Sequence, residues 1–209
     1  MRIDYLKTSA DRAGRFTVRF DDGSAMRLYR QTIEDFGLYS GMELTEDAYS
    51  RLKQAAGEMS AKMRAVRIVS AASVSRRDLQ NRLIRKGENP DQAEQAVEWL
   101  SDLHLVDDRN TAEQIVHSCI ARGYGKARAK QALYEKQIPR EYWEEALEDY
   151  PDQQDAIIGF LRSRLTDPAD QRARKRAIDA LLRRGHSYQA IRRALSELSM
   201  ETDDFPEEE

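Results

Sequence analysis

The sequence predicts an all-α protein of three tandem three-helix repeats that form an elongated curved rod, with a small N-terminal β-hairpin region. Two observations support this. After residue 45 the chain is rich in Ala, Leu, Arg, Glu and Gln, which favour helices, and poor in strand-forming residues. One apolar helical stripe then occurs three times, on anchor residues Leu83, Leu133 and Leu181.

The first 45 residues differ from the rest of the chain. The segments RFTVRF (15–20) and AMRLY (25–29) alternate apolar and polar residues and flank the turn signal DDG, which predicts a hairpin with Gly23 at positive φ. A short helix follows and ends at Gly37. Because an isolated hairpin is only marginally stable in water, we expect it to dock on the long helix that begins at Thr45. The apolar side of this helix is assigned to Leu52, Ala55, Ala56, Met59, Met63, Val66, Val69 and Val74.

The repeat has the same apolar positions in each copy. Four residues before each anchor lies Leu79, Ala129 or Ala177, and four later positions form a second helical stripe with the spacing i, i+3, i+4, i+7. These later positions are Ala93, Ala96, Val97 and Leu100, then Trp143, Ala146, Leu147 and Tyr150, then Ile191, Ala194, Leu195 and Leu198. A further helix precedes each pair, over 60–73, 109–122 and 153–165, and stacking of such units predicts the rod.

A stop signal separates the two stripes of each repeat. Gly87 and Gly185 lie four residues after their anchors, where a left-handed residue ends a helix. The middle copy has Gln137 there, and a left-handed Gln costs about 1 kcal/mol more than Gly. We therefore expect the middle turn to close differently.

These patterns divide the chain into five parts. They are the hairpin region 1–45, the repeats 46–108, 109–151 and 152–200, and an acidic disordered tail, 201–209. The tail holds six acids, and without it the net charge changes from −3 to +3. The chain contains no apolar run of membrane-spanning length and no apolar secretion segment, and its single cysteine fits a reducing cytoplasm.

Basic residues follow the repeat. Seven residues before the anchors lie Arg76, Lys126 and Arg174, and three residues after them lie Lys86, Lys136 and Arg184. The dipole of each helix favours a cation in its last turn but not in its first. The earlier set therefore favours a surface for an anionic partner, with an ordinary solvated face as the alternative.

No catalytic or metal-binding pattern stands out. Cys119 lies on an apolar helix and is predicted to be a core residue, as are Trp143 and Tyr150. His104, His117 and His186 lack partners at ligand spacing. The segment RGYGKAR (122–128) follows a helix and lacks the spacing of a phosphate-binding loop, so we interpret it as a break before a basic helix.

Four stretches stand out by their order and spacing, namely VSRRDLQNRLIRKG (74–87), AVEWLSDLHLVDDRNTAEQIV (96–116), RGYGKARAKQAL (122–133) and LLRRGHSYQAIRRAL (181–195). Together they resemble the RecX family of RecA regulators, and the resemblance covers roughly residues 15–198. The resemblance implies a non-enzymatic, cytoplasmic modulator without cofactors. It would bind along the RecA–single-stranded DNA filament and suppress filament growth, ATPase and strand exchange.

The position of the charges suggests which residues contact the filament. The candidates are Arg76, Arg77, Arg82, Lys86, Lys126, Arg128, Lys130, Arg174, Arg184, Arg192 and Arg193. The expected partners are the RecA filament and, through it, single-stranded DNA, with no membrane, and the protein is expected to be a monomer. The alternatives are a DNA-binding protein of helix-turn-helix type and a helical-repeat scaffold for an acidic protein.

Overall fold

The computed structural model describes residues 1–9, 14–165 and 170–203 and divides into two compact units, Met1–Val106 and Asp107–Glu209. The described residues form mostly α-helix with one small antiparallel sheet, which confirms the predicted fold class. The strands and first helices are β1 (Ile3–Thr8), β2 (Arg15–Phe20), β3 (Ala25–Tyr29), α1 (Arg30–Asp35), α2 (Glu46–Val69), α3 (Arg76–Arg85) and α4 (Pro90–Asp102). They are followed by α5 (Asp108–Ala121), α6 (Lys126–Glu135), a 3₁₀ helix (Arg140–Tyr142), α7 (Trp143–Ala146), α8 (Gln154–Arg164), α9 (Gln171–Arg183) and α10 (Tyr188–Asp203).

The predicted hairpin is present but belongs to a three-stranded sheet of order β1-β2-β3. Strands β2 and β3 pair antiparallel around a turn in which Gly23 has φ +82°. Strand β1 was not predicted. Its register shifts between Ile3 and Tyr5, so that Ile3 is buried and Tyr5 is 43% exposed. This irregularity removes the alternation by which a strand is recognised in a sequence.

The sheet packs on α2, as expected from the instability of a lone hairpin. Val18, Phe20 and Leu28 form one cluster with Leu52 of α2. The Phe20 ring meets the Tyr49 ring edge-on at 5.3 Å between centroids. Thr45 caps α2 by accepting a hydrogen bond from the Ala48 amide at 3.1 Å, which confirms the predicted helix start.

The prediction that α2 has a single apolar side is wrong. Leu52 packs on the sheet, whereas Ala61 and Ala65 are buried against α3 and α4, and Met63 is 38% exposed. Because nine residues of helix turn through half a revolution beyond two full turns, Leu52 and Ala61 lie on opposite faces. The helix therefore supports the sheet with one face near its start and a helical bundle with the other face near its end.

Three small helical bundles follow, each with its own buried core. Bundle 1 contains the second half of α2 with α3 and α4, bundle 2 contains α5 to α7, and bundle 3 contains α8 to α10. The anchors Leu83, Leu133 and Leu181 are all at most 1% exposed. The second stripes pack against the same cores, so the predicted repeat is confirmed.

Bundle 2 departs from the prediction in its third helix. The expected stripe reached Tyr150, but α7 ends at Ala146 and a turn carries the chain onward. Tyr150 precedes Pro151, and a residue before proline is disfavoured in helical conformation. Tyr150 still packs on the core, and its hydroxyl donates to the Tyr124 carbonyl oxygen at 2.6 Å.

The turn after each second helix closes in the same way in all three bundles. Gly87, Gln137 and Gly185 have φ of +89°, +57° and +85°. In each, the following amide donates to the carbonyl of the anchor leucine, at 3.1, 3.0 and 3.2 Å. The expectation that Gln137 closes its turn differently is therefore wrong, because packing in the bundle outweighs the local strain.

The chain end is only partly described. Helix α10 continues to Asp203, so the first residues of the predicted tail are helical, while 204–209 lie outside the described residues. The same is true of 166–169 in the loop before α9. Within the described part of the chain, no helix is long and apolar enough to cross a bilayer.

Candidate partner-binding surface

The second helices of bundles 1 and 3, α3 and α9, begin at side-chain caps, and their basic residues follow within the first turn or at its end. Ser75 accepts from the Asp78 amide at 3.1 Å, and Asp170 accepts from the amides of Arg172 and Ala173 at 2.8 and 3.0 Å. These backbone hydrogen bonds lower the pKa of Asp170. Gly125 occupies the same place in bundle 2 without a side-chain cap.

The cations near the start of these helices are exposed in every bundle. Arg76, Lys126 and Arg174 all have exposed side chains. Within the described ranges, no ion pair is found for six candidates, which are Arg77, Lys86, Lys126, Lys130, Arg174 and Arg192. These six cations are therefore available to an anionic partner.

Three other candidates already have carboxylate partners. Arg82 holds Asp78 through two hydrogen bonds of 2.8 and 3.0 Å, and the Asp78 side chain is only 10% exposed. Arg128 pairs with Glu135 at 3.1 Å. These two pairs stiffen their own helices, so their arginines contribute less to a partner surface.

Arg193 is the third paired candidate, and its contacts cross bundle 3. Its guanidinium donates to the Asp152 carboxylate and to Oε1 of Gln154, the latter at 3.0 Å. These contacts tie α10 to the start of α8. The pair is more than half exposed on both sides, so it contributes only about 0.2–1 kcal/mol to stability.

Arg184 occupies a different setting from the other cations. Its guanidinium lies 5.4 Å from the Tyr124 ring centroid and 5.0 Å from that of Phe160. It also donates to the Arg122 carbonyl oxygen at 3.5 Å. Arg184, three residues after the anchor Leu181, therefore links bundle 2 to bundle 3. Its side chain is engaged in contacts within the protein.

Two candidates far apart in the sequence meet in bundle 3. Arg174 of α9 and Arg192 of α10 line one groove of about 250 Å³, together with Tyr188. The packing of α9 against α10 brings both residues to this groove.

A larger basic groove was not predicted. It measures about 620 Å³ and lies between α8 and α9, and its lining contains three arginines and one acid, which are Arg164, Arg176, Arg183 and Asp179. The excess of bases between Arg172 and Arg193 is the sequence signal for this surface, but it does not show which bases share a groove.

The joint between bundles 2 and 3 contains a backbone contact and a histidine side chain. The Gly125 amide donates to the Arg184 carbonyl oxygen at 2.9 Å, and Nε2 of His186 lies 3.1 Å from the Gly123 carbonyl oxygen. His186 is buried, and this burial lowers its pKa below the ordinary value of 6.5. These contacts hold bundle 2 against bundle 3.

The other residues singled out in the sequence lie in the core, at a helix cap or in a turn. Cys119 is buried in the bundle 2 core, as predicted, and burial raises the pKa of its thiol. Burial also raises the pKa of Tyr150 to about 12. Asp107 caps α5, and RGYGKAR is the predicted break before a basic helix. Among the residues that the structure describes, no three His, Cys, Asp or Glu side chains are grouped to hold a metal ion.

The fold and this surface define a modular helical protein, in which repeated bundles present cations on their second helices. A family model of the RecX second three-helix domain matches residues 107–147, which contain bundle 2. The regulatory protein RecX of Chromohalobacter salexigens is 31% identical over 134 residues, which cover 63% of this chain and 88% of that protein. That of Clostridioides difficile is 24% identical over 203 residues, covering 94% of each.

Solved structures agree in fold. A crystal structure of regulatory protein RecX superposes with a TM-score of 0.61 at 20% identity, covering 90% of this chain and 96% of that one. RecX from Lactobacillus salivarius also gives a TM-score of 0.61, at 23% identity, covering 70% and 99%. The chain belongs to the RecX family, as the four resembling stretches indicated.

Proposed function

We propose that this protein is a non-enzymatic modulator of the RecA recombinase. It binds along the RecA–single-stranded DNA filament and suppresses filament growth, ATPase activity and strand exchange. This role places it in the bacterial cytoplasm as a monomer. Membership of a family whose curated members are named regulatory proteins supports a regulatory role.

The observation that carries the proposal is the threefold repetition of exposed cations. Arg76, Lys126 and Arg174 occupy the same position in three bundles and are all exposed. A partner that suits such a surface offers the same acidic feature at intervals, as a polymer of identical subunits does. One exposed ion pair is worth only about 0.2–1 kcal/mol, but linked contacts raise each other's effective concentration.

RecA ATPase activity on single-stranded DNA tests the proposal. The protein is titrated at substoichiometric amounts while ATP hydrolysis is followed. A protein that acts on filaments inhibits well below one molecule per RecA, because one bound molecule affects a growing end or several subunits. If hydrolysis is unchanged at every ratio, the proposed function is wrong.

Direct binding to DNA is a second candidate, favoured by the groove that joins Arg174 and Arg192. Filter binding with duplexes of several sequences distinguishes the two. A strong sequence preference would support a helix-turn-helix reader, which concentrates its base contacts on one recognition helix. Sequence-independent binding that weakens with salt would support phosphate contacts alone.

A further inference from the structure

The second helices also carry an exposed apolar side chain at one shared position. The residue directly after each anchor leucine is Ile84, Tyr134 or Leu182, and these side chains are 38%, 69% and 43% exposed. Isolated exposed apolar residues are ordinary on protein surfaces. Among the described residues, the other large exposed apolar side chains do not recur at a shared position of the repeat.

Each of these apolar side chains has one unpaired cation on its own face of the helix. Lys130 lies four residues before Tyr134, while Arg77 and Lys175 lie seven residues before Ile84 and Leu182. Residues separated by four or seven positions share a helix face. All three cations are exposed, and no ion pair is found for them within the described ranges.

We infer that each bundle uses this pair, an apolar side chain and a nearby cation, to dock into an apolar recess bordered by carboxylates on successive identical subunits of a protein polymer. The inference rests on the proposed function and names the surface by which it is performed. The repeated position matches a repeated subunit, and the cation complements an acidic border.

A protein partner suits this surface better than a nucleic acid does. Single-stranded nucleic acids are held by cations together with aromatic side chains on which bases stack. Two of the three exposed side chains, Ile84 and Leu182, are aliphatic and provide no such platform. An aliphatic side chain gains most where a protein recess removes it from water.

The test measures binding to RecA filaments on single-stranded DNA, with the full chain carrying Ile84→Gln, Tyr134→Gln and Leu182→Gln singly and together. Gln favours helix, so the fold is preserved, and thermal melting verifies this. Each single substitution should weaken binding about threefold and the triple variant about thirtyfold, since effects at separate sites combine. The loss should persist at high salt because the contact is apolar.

A matched control replaces three other exposed apolar side chains, Tyr39, Leu103 and Leu105, which are 63%, 50% and 57% exposed. Their Gln variants should bind like the wild type. A second series, Arg77→Gln, Lys130→Gln and Lys175→Gln, should weaken binding mainly at low salt. The inference is overturned if the first triple variant binds like the wild type or if the control triple weakens equally. If the wild-type protein fails to bind filaments, the proposed function is wrong as well.

Discussion

Gly125→Ala should uncouple bundle 2 from bundle 3. Gly125 has φ −78° and ψ 161°, which alanine adopts readily, so the backbone angles themselves do not require glycine. The space does. A β-carbon there would lie 2.5 Å from the His186 amide nitrogen and closer still to the carbonyl group of Gly185. These are backbone atoms, so no side-chain rotation relieves the overlap.

The cost follows from the contacts that the displaced joint would lose. The hydrogen bonds of the Gly125 amide and of His186 Nε2 are each worth about 1 kcal/mol. The contact of Arg184 with the Tyr124 ring adds about 0.5–1 kcal/mol, whereas its contact with Phe160 lies within bundle 3 and is kept. The expected destabilisation is therefore about 2.5–3 kcal/mol. For a chain of this size, that corresponds to a melting temperature roughly 5–12 °C lower.

Urea and thermal unfolding followed by circular dichroism measure this loss. Gly159→Ala is the matched control, because a β-carbon at Gly159 in α8 would meet nothing within 4 Å. Alanine is a better helix former, so this control should gain about 0.5–1 kcal/mol. If Gly125→Ala is as stable as the wild type, the joint does not stabilise the protein as described above.

Three further predictions concern the turn of bundle 2, the pH dependence and the tail. Gln137→Gly should stabilise the protein by about 0.5–1 kcal/mol in urea unfolding, because glycine removes the left-handed strain but makes the unfolded chain more flexible. Since burial lowers the pKa of His186, the unfolded state binds more protons near the ordinary value of 6.5, and stability should fall as pH drops through that value. His186→Asn should make stability less dependent on pH near this value. If the pH dependence is unchanged, other groups cause it. Deletion of 201–209 should tighten filament binding if the acidic tail competes for the basic helices, and unchanged affinity would exclude such competition.

The repeat was predictable because its apolar spacing follows directly from helix geometry. Leu83, Leu133 and Leu181 each sit at the centre of a small core, and a stripe with fixed spacing identifies such residues. The departures have local causes. Strand β1 contains a register shift, and α2 faces two different partners, so neither shows one clean period.

The candidate surface was less predictable, because a count of charges does not show which of them are already paired. Arg82 and Arg184 have the same charge as Arg77, yet one is held by Asp78 and the other lies against two aromatic rings. The groove between α8 and α9 depends on residues from two helices, and only their packing brings Arg164 beside Arg176.

The central claim is that three linked bundles recognise a repeating partner. Its most direct test compares the affinity of the full chain for RecA filaments on single-stranded DNA, for unassembled RecA and for bare single-stranded DNA, by fluorescence anisotropy at one salt concentration. Simultaneous contacts should make filament binding at least about a hundredfold tighter than binding to either component. Equal affinity for the filament and for unassembled RecA or bare DNA would contradict the account.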